Sequence, residues 1–184
     1  MVRDILDLYP DFYNIVLTDV PDAPTLNGHP HKQERESLAR VIGLVSAETI
    51  FEFGTFNGET TRWLARLPRV DHVLTLDIPI GQNPRLPVLT AADVSLAWSD
   101  WNWLHWSDVV TLPDNVTRLY GDSADFDYSP YAGQCDVVWV MGAHSLPYIR
   151  NDLAAAFRLR APGGEVVWHG GNPMYVETVG AEYD

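Results

Sequence analysis

Five short apolar runs alternate with helix-patterned stretches, and this alternation restricts the fold more than any other feature of the chain. TIFEF (49–53), HVLTLD (72–77), VTRLYGD (116–122), CDVVWVM (135–141) and EVVWH (165–169) read as strands. GETTRWLARL follows the first run, and LPYIRNDLAAAFRL, closed by APGG, follows the fourth; both read as helices. Ahead of the first run the pattern is helical from His31, with Leu38, Val41, Ile42 and Val45 at i, i+3, i+4 and i+7. Near-continuous apolar strands with helices between them are buried on both faces, which is the signature of a parallel sheet. The predicted fold is α/β, a Rossmann-like parallel sheet flanked by helices with strand order 3-2-1-4-5. It forms one domain over residues 1–184, of which 1–30, broken by Pro10, Pro21, Pro24 and Pro30, is an N-terminal arm. The segment 79–113 holds Trp98, Trp101, Trp103 and Trp106. Two readings fit it: packing on the core or a partner subunit, or an aromatic lid over a pocket.

Composition removes several function classes. A net charge of −13 argues against a nucleic-acid partner, because phosphate binding needs a basic face. No apolar run is long enough to span a bilayer, so no membrane partner is expected. The opening MVRDILDLYPDF carries acids early and lacks a signal-peptide pattern, which predicts a cytoplasmic protein. The lone Cys135 allows no internal disulfide and no structural zinc cluster, and its place before an apolar run predicts a buried thiol.

In an open parallel sheet, ligands bind beyond the carboxyl ends of the strands. The loop after the first strand is FEFGTFNGET, with Gly54 and Gly58 between strand and helix. It matches neither GxxxxGK[ST] nor GxGxxG; the spacing is ExGxxxG. The next strand ends at Asp77, placed to accept from both ribose hydroxyls. The third strand leads into Asp122 and Ser123, and a carboxylate there can accept from an exocyclic amino group. Glu52, Asp77 and Asp122, at three successive strand ends, suit a ligand with a ribose, an amino group and a positive charge. They suit a pyrophosphate poorly, which ranks a nicotinamide-dependent oxidoreductase far below.

With TLDIP, GDS, GAHS and APGG following in order, the chain resembles the class I S-adenosylmethionine-dependent methyltransferases, nearest a bacterial small-molecule branch, over about residues 48–170. The resemblance implies S-adenosylmethionine as cofactor. Glu52, Gly54, Thr55, Phe56 and Gly58 would frame its methionine part, Asp77 its ribose, and Asp122 with Ser123 its adenine. Two positions depart from the family pattern. Met141 stands where relatives read DGAHS, and Gly170 where they read WHD. In metal-dependent relatives those acids bind a divalent cation, and neither Met141 nor Gly170 has a side-chain oxygen to offer. No catalytic metal is expected. The family also continues for another helix and two strands, completing a seven-stranded sheet, whereas NPMYVETVGAEYD alone follows WHGG. Those strands are expected to be missing, and the exposed edge predicts a homo-oligomer.

The function expected is therefore a metal-independent methyltransferase acting on a small hydroxylated metabolite. His144, at the end of the fourth strand, is the base candidate, since an imidazole titrates near working pH. A histidine that only fixes the local loop fits the same position. His169 is a second candidate; His29 and His31 flank Pro30 with nothing further to complete a metal site. The alternative is a degenerate methyltransferase-like protein, a cofactor-binding, regulatory or assembly subunit without methyl transfer, favoured by Met141, Gly170 and the short tail.

Overall fold

The computed structural model describes residues 10–17, 20–21, 31–79, 82, 84–87, 110–143 and 145–169. Five strands form one sheet: β1 (Thr49–Phe53), β2 (His72–Asp77), β3 (Val116–Tyr120), β4 (Cys135–Val140) and β5 (Arg160–Trp168). Their order is β3-β2-β1-β4-β5, and every neighbouring pair is parallel. The helices are α1 (His31–Leu44), α2 (Glu59–Leu64) and α3 (Leu146–Leu159). A single turn of 3-10 helix, Phe12–Asn14, lies in the expected N-terminal arm. Among the described residues no helix is long and apolar enough to cross a membrane.

Strand alternation divides the core between the two sheet faces. Ile50, Val73, Val137 and Trp139 point to the face covered by α1 and α2, where Leu38, Val41, Ile42, Trp63 and Leu64 are buried. Phe51, Phe53, Leu74, Leu76, Val138 and Val140 point to the other face, against Ala155, Ala156 and Leu159 of α3. Burial of each such Leu, Ile or Phe contributes about 2 kcal/mol before chain entropy is subtracted. Cys135 is fully buried, and desolvation, ahead of the neighbouring Asp136, pushes its thiol up to about 12.

APGG does not close α3 as a loop. The helix passes directly into β5, which begins at Arg160. Cys135 pairs with Arg160 and Val137 with Glu165, so β4 advances by two residues while β5 advances by five. Residues 161–164 therefore bulge from the ladder while the chain stays at the sheet edge, where an irregularity costs little pairing.

Candidate functional site

The site is built on a polar row buried in the sheet. Glu52 of β1 lies in register with Thr75 of β2 on one side and Trp139 of β4 on the other. All three residues lie on the sheet face covered by α1 and α2. Glu52 is fully buried. Its Oε2 accepts from the hydroxyls of Thr61, at 2.6 Å, and Thr75, at 2.7 Å. Thr75 has one proton and gives it to Glu52, so in the 2.7 Å contact with Thr55 the donor is Thr55. The result is a directed chain, Thr55 to Thr75 to Glu52. Glu52 Oε1 and Trp139 Nε1 are buried with no hydrogen-bond partner among the described residues. Desolvation dominates the carboxyl and raises it to about 7, against the lowering effect of the two threonine hydroxyls.

The loop between β1 and α2 is shaped by close backbone approach. Gly54 has φ +90°, and a Cβ there would lie 2.6 Å from the carbonyl oxygen of Met141. Only glycine fits both the dihedral and the contact. Phe56 is left-handed at φ 47°, an uncommon conformation for a large side chain. Its N–H donates to Asp77 Oδ2 at 2.8 Å, while Ile78 N–H donates to Oδ1. Asp77 thus ties the end of β2 to the strained position of the loop. Gly58 caps α2, but α2 has six residues, so the loop's shape rather than a long helix dipole defines this part of the site.

Asp122 is buried two residues beyond β3. Its Oδ2 accepts from Arg85 N–H and the Tyr148 hydroxyl, both at 2.7 Å, and its Oδ1 from Ala124 N–H at 2.8 Å. Burial, followed by the Asp122 contact, pushes the Tyr148 phenol up to about 12, which keeps it a donor. The Ser123 carbonyl accepts from the Tyr128 hydroxyl and from Asn151 Nδ2. The fold therefore brings Glu52, Gly54, Thr55, Phe56, Gly58, Asp77, Asp122 and Ser123 to the carboxyl edge of one sheet. His144, Gly170, His29 and most of the Trp-rich segment lie outside the described residues. Met141 packs its side chain on the apolar cluster under α1.

His169 was a candidate in the sequence, but its neighbours at this edge escape a reading of motifs. His169, just past β5, holds its Nδ1 2.9 Å from Glu34 Oε2, and its ring meets Trp139 edge-on at 6.1 Å. Arg35, next to Glu34 on α1, is buried and donates to Thr60 Oγ1 at 3.2 Å. Burial lowers its guanidinium, while Glu59, Glu52 and Glu34 act in the opposite sense. The available signal was periodicity: Glu34 and Arg35 begin the same helical turn pattern as Leu38, so they lie over the sheet. Thr75 was a polar residue inside an apolar strand, which marks a buried hydrogen bond.

A family model described as "Methyltransferase domain" matches residues 51–170. No curated protein matches the chain in sequence. Among solved structures, a candidate caffeoyl-CoA O-methyltransferase from Staphylococcus aureus is 14% identical with a TM-score of 0.51, covering 96% of this chain and 70% of its own. The O-methyltransferase TomG from Streptomyces achromogenes, involved in tomaymycin synthesis and solved with SAM, is 20% identical with a TM-score of 0.48, covering 100% and 77%. A chain from the Haloferax volcanii complex of the Trm112 methyltransferase activator with a candidate methyltransferase is 20% identical with a TM-score of 0.44. That match covers 66% of this chain and 44% of the other, so this chain spans less than half of that relative. At such identities the Staphylococcus aureus likeness shows the fold alone.

Proposed function

Because the chain belongs to the methyltransferase-domain family, we propose that it binds S-adenosylmethionine along the carboxyl edge of β1, β2 and β3 and methylates a small hydroxylated metabolite without a metal ion. The observation that carries this reading is Glu52: a fully buried carboxyl, clamped by two threonines, with one oxygen lacking a partner among the described residues. A buried carboxyl of this kind calls for a cationic or donor group. The ammonium of the cofactor's methionine part meets that need, and Gly54, Thr55, Phe56 and Gly58 shape the loop around it. The residues present thus fit the cofactor. Asp77 takes the ribose hydroxyls, and the loop at Asp122 and Ser123, shaped by the donors that Asp122 already holds, takes the adenine end.

When bound, S-adenosylmethionine supplies an electrophilic methyl group on a sulfonium. The protein's own work is alignment of the acceptor with that group and removal of the acceptor's proton. His144 is the first assignment for the base. The His169–Glu34 contact supports His169 as the second, because a carboxylate beside one ring nitrogen orients the imidazole. Metal-independence is supported by Met141, whose side chain offers no oxygen and turns into an apolar cluster. The same residue favours the second reading, a cofactor-binding or assembly subunit without methyl transfer.

Incubation with methyl-labelled S-adenosylmethionine and a panel of catechols and other phenols separates the two. Label should pass to an acceptor in metal-free buffer. Cofactor binding without transfer to any acceptor would leave the subunit reading.

A further inference from the structure

Helix α3 presents Tyr148, Asn151 and Asp152 along its first turns, at i, i+3 and i+4, so all three share one face. That face meets the loops leaving β3 and β4. The Tyr148 hydroxyl holds Asp122. Asn151 Nδ2 bridges the Ser123 carbonyl, at 2.8 Å, and Asp152 Oδ1, at 3.0 Å. Asp152 is buried at 1% exposure, with the Ser123 side chain close enough to favour its charged form. Its second oxygen, Oδ2, lies 3.0 Å from where a Cβ on residue 142 would stand, so Gly142 gives the carboxylate its room. Gly142 follows Met141, whose carbonyl is the atom that approaches Gly54. One buried carboxylate therefore connects the loop after β3 with the loop after β4, and through it the loop after β1.

We propose that Asp152, assisted by Asn151, is a positioning residue that locks these loops together and sets the adenine end of the cofactor site. The inference rests on the methyltransferase reading of that site. A carboxylate is an expensive choice for the task. Burial first, with Asp122 nearby adding in the same sense, raises Asp152 to about 6 against the lowering by Ser123 and Asn151. A neutral amide of the same shape would avoid that cost, but it would turn an N–H pair toward Gly142 or Ser123 in place of an acceptor. A residue kept only for packing would lose stability and binding together; a positioning carboxylate separates them.

The test uses full-length protein and two probes, S-adenosylhomocysteine and 5′-methylthioadenosine, which share the adenine end but not the amino-acid end. For Asp152→Asn and, separately, Asn151→Ala, both probes should bind about tenfold more weakly, the worth of one net hydrogen bond. The stability of Asp152→Asn should gain on that of the wild type as pH rises from about 4 to about 8, because only the wild type takes on the buried charge there, and any fixed cost of the amide shifts the variant by a constant. Unchanged affinity in both folded variants would overturn the inference, as would weakening confined to S-adenosylhomocysteine or weakening that only tracks lost stability. Wild-type protein that binds neither probe would overturn the cofactor reading, and this inference with it.

Discussion

Replacing Glu52 with glutamine should make the protein more stable at high pH and weaken the proposed binding of S-adenosylmethionine. The carboxyl is raised from 4.5 to about 7, chiefly because it is buried. Between those values the unfolded chain releases this proton and the folded chain keeps it. The wild type therefore loses stability as pH rises through that window, and below it the group makes no difference. The full window corresponds to about 3 kcal/mol. Glutamine has no proton to lose, and its carbonyl still accepts from Thr61 and Thr75. Any fixed cost of the amide shifts the variant by a constant. The pH-dependent part is unaffected, so the gap in unfolding free energy should widen by about 2–3 kcal/mol in favour of Glu52→Gln between about pH 5 and about pH 8. Urea titrations of both proteins across that range read it directly, starting above the isoelectric point near 4.6 to avoid aggregation. Asp152 titrates in both proteins and cancels in the difference. Parallel stability profiles, with a gap that does not change with pH, would refute the assignment of a raised, buried carboxyl at Glu52.

Gly54→Ala should unfold more easily by about 1–3 kcal/mol and lose S-adenosylmethionine binding, because its Cβ would press on the Met141 carbonyl at a left-handed dihedral; denaturant midpoints and calorimetry check it. Asp77→Ala should weaken binding and also loosen the loop at Phe56, visible as faster amide exchange there, because it removes the acceptor of the Phe56 N–H. If His169 rather than His144 removes the acceptor's proton, His169→Ala should lower turnover while leaving S-adenosylhomocysteine affinity within about twofold, and added imidazole should restore part of the rate; Glu34→Gln should then have the milder version of the same effect. In the folded protein Cys135 should resist thiol reagents at about pH 8 and react only on unfolding, since a thiol this buried has almost no thiolate.

The strands, their order and the loop after β1 were legible because each depends on a local pattern: a continuous apolar run, a glycine spacing, an acid at a strand end. What surrounds Glu52 was not. Thr75 and Trp139 become its neighbours only through strand register, and Thr61 only through the way α2 folds back over β1. The passage from α3 straight into β5 was hidden for a related reason. Pro162, Gly163 and Gly164 read as a turn locally, while the sheet edge absorbs them as an irregularity. Asp152 left a usable trace. Tyr148, Ile149, Asp152, Ala155, Ala156 and Leu159 form one buried stripe, and a charged residue on that stripe implies a buried partner. The group it reaches through Asn151, the Ser123 carbonyl, could not be named without the fold. The contact between Glu34 and His169 joins α1 to the residue just past β5 and has no local signature at all.

Calorimetric titration of S-adenosylmethionine into the purified protein, with Asp77→Ala alongside, tests whether the edge built from Glu52, Gly54, Asp77 and Asp122 is a working cofactor site. Saturable one-to-one binding to the wild type is expected, weakened by at least about tenfold in the variant. A folded wild type that releases no heat of binding and shows no thermal stabilisation by the cofactor would contradict it.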